Sequence, residues 1–285
     1  MDWLPLILSF LAGLVIAPAA LDAMEAAGLV RQNWRGRVLP ASLGLAIVAA
    51  GLVALAPIAL IDELADESWL PLASRDVLLY GIGVALLGFA DDVLGGRAQA
   101  GAPSEPAAPR GWRGHGTAAA GGSLTTGALK AVGALALALL VLSGKGYDTG
   151  EYLLAVAVLV LATNAFNLLD LRPGRALKVL VLLGAALTLA TWDSEPARVL
   201  GILLGGALAM APYDLGERGM LGDAGSNLLG ALAGFWLVYS LGTAGQAVAL
   251  AILLVITIYG EFRSISALIE RNPLTRGLDS IGRRA

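Results

Sequence analysis

The chain alternates long apolar runs with short polar stretches. Nine runs approach or reach the roughly 20 residues that a helix needs to cross a hydrocarbon core about 30 Å thick. They cover residues 3–21, 38–61, 76–93, 126–143, 151–168, 176–191, 197–213, 226–241 and 246–265. This pattern predicts an all-α, polytopic membrane protein of about nine transmembrane helices, with residues 1–285 forming a single integral-membrane domain. The first run has no basic n-region and no A-x-A cleavage pattern followed by a mature soluble domain, so it reads as a retained helix. Small residues recur inside the runs, Gly201, Gly205, Gly206 and Ala209 among them, and permit the close helix approach on which membrane bundles depend.

Composition supports lipid as the main solvent: 57% of residues are hydrophobic, 14% are charged, and the mean hydropathy is +0.76. The absence of cysteine excludes disulfides, thiolate metal sites and sulfur nucleophiles. A net charge of −3 offers no footing for a nucleic acid. The placement of the charges is more informative than their sum. With the C-terminus inside, 16 of the 19 Lys and Arg residues lie on or near the cytoplasmic face, and only Arg75, Lys145 and Arg198 fall outside. The positive-inside rule therefore predicts an external N-terminus and a cytoplasmic C-terminus in the inner (plasma) membrane. The longest loop, 95–123, is mostly Gly, Ala, Pro and Ser, which predicts a mobile cytoplasmic segment; the single histidine, His115, lies in it and reads as a solvated loop residue.

Carboxylates at the ends of apolar spans cost roughly 2.5–3.5 kcal/mol each on insertion scales, so they call for a reason. Asp91 and Asp92 close the third span in GFADDVLGGR, Asp170 closes the fifth in NAFNLLDLRPGR, and Asp223 opens the eighth in GMLGDAGSNLLG. All fall at cytoplasmic ends. Hard oxygen ligands gathered where water can enter suit Mg²⁺, which takes a few carboxylates and completes its shell with phosphate oxygens; a phosphate substrate is thereby implied. Asn164, Asn167 and Asp170 follow one another at three-residue steps along one helix face. Lys130 starts the fourth span, where its ammonium would pair with a phosphate, and Gly222, Gly225 and Ser226 flank Asp223, where backbone N–H groups at a helix N-terminus can approach an anion. Arg172, Arg175 and Lys178 add positive potential on the same side, or serve simply as inside anchors.

Taken together, the aspartate pair Asp91–Asp92, the N-x-x-N-x-x-D pattern ending at Asp170, and the G-D-x-G-S pattern from Gly222 to Ser226 resemble the polyprenyl-phosphate N-acetylhexosamine-1-phosphate transferases, the superfamily of the bacterial MraY and WecA enzymes. The resemblance runs from about Gln32 to Arg276 and includes RQNWRGRVLPASLG as a first cytoplasmic loop and Lys130 as the lysine after the aspartate pair. It implies Mg²⁺-dependent transfer of a sugar 1-phosphate, with Mn²⁺ as an alternative ion, from a nucleotide-sugar such as a UDP-sugar to polyprenyl (undecaprenyl) phosphate. The products would be a polyprenyl diphosphoryl-sugar and a nucleoside monophosphate, at the start of cell-envelope glycan synthesis. It further implies Asp223 as the main metal ligand, the pair Asp91 and Asp92 engaging the carrier phosphate, with one of them deprotonating it or sitting in the metal's outer shell, Lys130 holding that phosphate, and Asn164, Asn167 and Asp170 ordering the diphosphate and the metal's water shell.

The chain departs from that family where the family touches the nucleotide-sugar. Leu171, Arg172, Pro173 and Gly174 follow Asp170 instead of glycines and a further aspartate; Met220 stands where many members have phenylalanine; and the histidine-rich motif of the last cytoplasmic loop is absent. Arg172 and Arg276 are the expected replacements for diphosphate binding. The competing reading is a non-catalytic scaffold or a transporter that uses intramembrane carboxylates. Transporters, however, place such groups near the midplane within broken helices and show internal repeats, whereas these acids gather at one face. The apolar outer faces would permit a homodimer.

Overall fold

The computed structural model of the chain describes residues 3–65, 68–99 and 125–283. It is 79% helical. In chain order the elements are α1 (Leu4–Ala26), β1 (Val30–Gln32), β2 (Val38–Pro40), α2 (Gly44–Ala65), α3 (Ser74–Gln99), α4 (Thr126–Leu142), α5 (Thr149–Leu169), α6 (Arg175–Thr191), α7 (Glu195–Leu215), α8 (Gly222–Ser240), α9 (Thr243–Phe262), α10 (Ile265–Arg271) and α11 (Pro273–Ser280). Six of them, α1, α2, α3, α5, α7 and α9, are long and apolar enough to cross a membrane, which makes this an all-α membrane protein. Local signals set the helix starts. Asp148 and Glu151 form a reciprocal capping box at α5, Thr125 caps α4, and Asn272 caps α11 ahead of Pro273.

α8 is the axis of the bundle. Every residue from Ala224 to Val238 is buried, so the helix is enclosed on all sides, by α2, α3, α5, α6 and α7. The small residues read from the sequence serve the approach of α1 to α7: a Cβ on Gly205 would lie 2.2 Å from Leu6 O, and Gly206 N donates to Ser9 Oγ at 2.8 Å.

Two span boundaries differ from expectation. Val38, Leu39 and Pro40 belong to β2, paired antiparallel with β1 through Val30↔Pro40, Arg31↔Leu39 and Gln32↔Val38, so the second helix begins only at Gly44. Proline and β-branched valine favour extended backbone, and Met220 N donates to Pro40 O at 2.9 Å, which ties this hairpin to the α7–α8 turn. At the other boundary α3 runs past Asp91 and Asp92 to Gln99. The loop expected at 95–123 thus overlaps the end of α3, and its remaining residues, His115 among them, lie outside the described residues.

After α9 the chain folds back, as α10 and α11, along the bundle end where α6 begins. Here Arg175, only 2% exposed at the start of α6, holds Asp279 through Nε and Nη2 at 2.8 and 2.9 Å, and Arg283 Nη2 reaches the same carboxylate at 2.6 Å. Lys178 donates to the backbone oxygens of Asp279 and Ile281. Burial by itself would raise the Asp279 carboxyl, but the hydrogen bonds from Arg175 and Arg283 outweigh it and lower the group from 3.8 to about 2. A carboxyl lowered in the folded state stabilises above its unfolded value, and that contribution fades as pH falls from about 4 toward 2. Thermal unfolding in detergent should show an acid-side loss of stability that is smaller in Asp279→Asn than in the wild type.

Candidate functional site at the α8 N-terminus

The first turn of α8 is placed by backbone contacts that only glycine allows. A Cβ on Gly88 of α3 would lie 2.3 Å from Asp223 O, one on Gly44 of α2 would lie 2.2 Å from Gly225 N, and Gly222 itself has φ +66°, where a Cβ would lie 2.6 Å from Asp92 Oδ2 and 2.9 Å from Ser42 N. Asp223 is therefore clamped between α2 and α3.

Asp92 is the anion of this helix end. Its carboxylate accepts from Asp223 N at 3.1 Å, Ala224 N at 3.2 Å and Ser42 Oγ at 2.7 Å, and pairs with Arg31 Nη1 at 3.2 Å. Ser42 adopts a left-handed φ of +74° to deliver that hydroxyl, a strained conformation for a residue with a Cβ. The resemblance implies Asp92 as a metal ligand or catalytic group, and the sequence leaves the α8 N–H groups open to an anion. In the structure the Asp223 and Ala224 N–H groups and the Ser42 hydroxyl donate to the Asp92 carboxylate, so Asp92 itself sits at the helix N-terminus. Asp92→Asn should cost about 1–3 kcal/mol, because an amide N–H₂ would face donors. Thermal unfolding with Asp91→Asn alongside checks this, the latter being expected to change stability far less.

Asp91, one residue away, points elsewhere. Its Oδ2 lies 3.2 Å from Lys130 Nζ, and the same ammonium lies 2.7 Å from Asp223 Oδ2, so Lys130 of α4 bridges carboxylates from α3 and α8. The Asp91 and Asp223 carboxyls are themselves within hydrogen-bond reach of one another. Asn167 of α5 completes the cluster. The amide orientation that satisfies its neighbours donates to Ser226 Oγ at 3.0 Å and Asp223 Oδ1 at 3.2 Å and accepts from Lys130 Nζ at 3.0 Å. The side chains of Asp91, Lys130 and Asp223 are each about one-fifth to one-quarter exposed, 22%, 19% and 26%.

Beside the cluster opens a cavity of about 510 Å³. Asp223, Gly222, Asn167, Asp170, Arg31, Trp34 and Arg172 are among the residues that line it. The hairpin contributes Arg31, Gln32, Asn33, Trp34 and Leu39 to the lining and is tied down through Glu217, which accepts from Asn33 Nδ2 at 2.8 Å and pairs with Arg35 Nε at 3.3 Å. The Arg172 guanidinium lies over the Trp34 ring at 4.1 Å. Asp170 caps the end of α5. Loss of water, then repulsion from Asp214, Asp223 and Asp92, raises its carboxyl well above the ordinary range, with Arg175 opposing.

The structure brings together Asp91, Lys130, Asn167, Asp170, Gly222, Asp223, Ser226 and Arg172 from the sequence reading. Others lie apart. Asn164 points away to Thr257 Oγ1 of α9 at 3.4 Å, Gly225 packs against Gly44, and Arg276 is exposed on α11 and does not line the cavity. Three participants were missed. Arg31 was counted only as a topogenic charge. Asp214, whose Oδ2 accepts from Gly174 N at 2.7 Å, sits in the last turn of α7, near a helix end as Asp170 is, and that nearness to the end of an apolar run was a usable signal. Glu217 follows a helix end and carries no signal of its own; its φ of +49° appears only in the fold.

No protein-family model matches the chain, and no curated protein matches it. Among the described residues no three acidic or histidine side chains converge as a ready-made metal cage. Two carboxylates do converge, with one ammonium between them, which leaves a negative charge uncompensated. Such a donor set fits Mg²⁺ or Mn²⁺, ions that accept one or two carboxylates and fill the remaining positions with water and phosphate oxygens.

Proposed function

We propose that this protein is a membrane transferase that moves a sugar 1-phosphate from a nucleotide-sugar to polyprenyl phosphate, as its three motifs suggest by resemblance to the MraY and WecA superfamily. The observation that carries the reading is the Asp91–Lys130–Asp223 cluster: three residues from helices far apart in sequence meet beside a cavity lined by two arginines and an indole. That is the inventory that phosphoryl transfer between two anions needs, since the protein must chiefly position them in line and neutralise charge.

In this reading Asp223 would hold the divalent ion, which would supply charge neutralisation at the diphosphate oxygens, with Asp91 beside it left free to act as a base. Lys130 holds the carrier phosphate, and Asp91 takes the proton of its P–OH. An oxygen of the carrier phosphate forms the new bond to the sugar-bearing phosphorus; the bond from that phosphorus to the bridging oxygen breaks, and the nucleoside monophosphate leaves with the electron pair. Arg31 and Arg172 face the donor's phosphates, and Asn167 fixes Lys130 and Asp223. The fuller topology belongs to the same proposal: nine spans, N-terminus outside, and the cluster at the cytoplasmic face, where the 16 inside Lys and Arg residues lie.

The test is a nanodisc assay with undecaprenyl phosphate, Mg²⁺ and a panel of nucleotide-sugars, following release of nucleoside monophosphate. Release that needs both lipid and Mg²⁺ is the expected result and names the donor. No release from any donor by folded protein would replace this reading with a binding or partner-subunit role.

A further inference from the structure

The C-terminal segment reaches the cavity wall. The turn at residues 170–174, between α5 and α6, supplies Asp170, Arg172 and Pro173 to the lining. The segment holds the C-terminal half of this turn. Arg283 Nε donates to Pro173 O at 2.9 Å, and the buried Arg175 that follows the turn is fixed by Asp279 and by Ser266 Oγ at 2.9 Å. Just before these points Arg172 Nη2 donates to Glu270 Oε1 of α10 at 2.9 Å while its guanidinium lies against Trp34. Glu270 engages one of the five guanidinium N–H donors, so the others remain for a ligand; a side chain already held on an indole face gives up less rotamer freedom on binding.

We propose that residues 265–283 are a positioning element that aims Arg172 at the diphosphate of an anionic nucleotide-sugar, with Glu270 and Asp279 as positioning residues that set donor affinity and not the chemical step. The identity of the substrate rests on the transferase reading above; the anion-binding role of Arg172 does not. Asp279 acts through Arg175 and the turn, and Glu270 acts on Arg172 directly.

Steady-state kinetics on full-length Glu270→Gln, Asp279→Asn and Asp279→Glu separate this role from a merely structural one. KM for the nucleotide-sugar should rise by about tenfold in the first two, as loss of preorganisation predicts, with kcat and the KM for polyprenyl phosphate nearly unchanged, and Asp279→Glu should recover part of the loss. A fall in kcat with KM for the donor unchanged would overturn the proposal. Glu270, half exposed, is the variant least able to disturb folding. A second arm needs no turnover: calorimetric binding of inorganic pyrophosphate in EDTA, where no divalent ion can bridge. Wild-type binding that weakens several-fold in both Glu270→Gln and Asp279→Asn supports the positioning role even if no nucleotide-sugar is consumed, in which case the transferase reading alone falls. Equal binding in all proteins, or none in the wild type, overturns the positioning role.

Discussion

Asp223→Asn should reduce nucleoside monophosphate release by about 10²- to 10³-fold or more while leaving the bundle folded. The substitution keeps the shape of the side chain and removes the charge that Lys130 and Asn167 both address. The backbone N–H of residue 223 still donates to Asp92, so the helix end keeps its internal anion and the loss is confined to the cluster. The measurement is initial-rate release at saturating donor and lipid, paired with thermal unfolding. A variant that releases monophosphate at near wild-type rate would remove Asp223 from the centre of the chemistry. A variant that unfolds would instead make it a structural residue.

Gly88→Ala carries the second large effect, by a different route. The added methyl would sit 2.3 Å from Asp223 O and 2.5 Å from its carbonyl carbon, and backbone cannot rotate out of the way. Overpacking of this kind costs about 1–3 kcal/mol, and relief requires α3 and α8 to part where Asp91 and Asp223 must meet. Both a lowered melting temperature and a loss of release of at least about tenfold are expected, since small misplacements at such sites are costly. Gly83→Ala is the informative control on the same helix: its Cβ would meet the Cδ atoms of Leu137, at 2.5 and 3.3 Å, and a leucine can change rotamer. If Gly88→Ala were as mild as Gly83→Ala, close approach of the two helices would not be what sets the site.

The sequence made the helices legible because length and apolarity are local properties, and the cores of all nine predicted runs fall within α1 to α9. It hid the hairpin because Val38, Leu39 and Pro40 are as apolar as the span they precede; only pairing with residues 30–32 reveals them as strand. The adjacent aspartates show a second limit. Asp91 and Asp92 are consecutive on a helix, so they differ by about 100° in direction. Nothing local says which one faces Lys130 and which one enters the α8 N-terminus, because that depends on how α3 is rotated against helices whose contacting residues lie 39 and 131 positions away. The basic trio behaved likewise: Arg172 joined the cavity, whereas Arg175 and Lys178 turned to the C-terminal segment. Long-range partners, not residue type, divide these roles.

The order in which the cluster's parts are synthesised follows from its geometry. Asp91 emerges from the ribosome first, Lys130 and Asn167 follow, and Asp223 comes only with the enclosed helix α8. A nascent chain that has emerged only as far as α7 holds the cluster's ammonium and one of its two carboxylates but no pair, and α2 and α3 still lack the helix that Gly44 and Gly88 are cut to receive. The site thus comes into being in one late event of assembly, and partly inserted chains should be chemically silent.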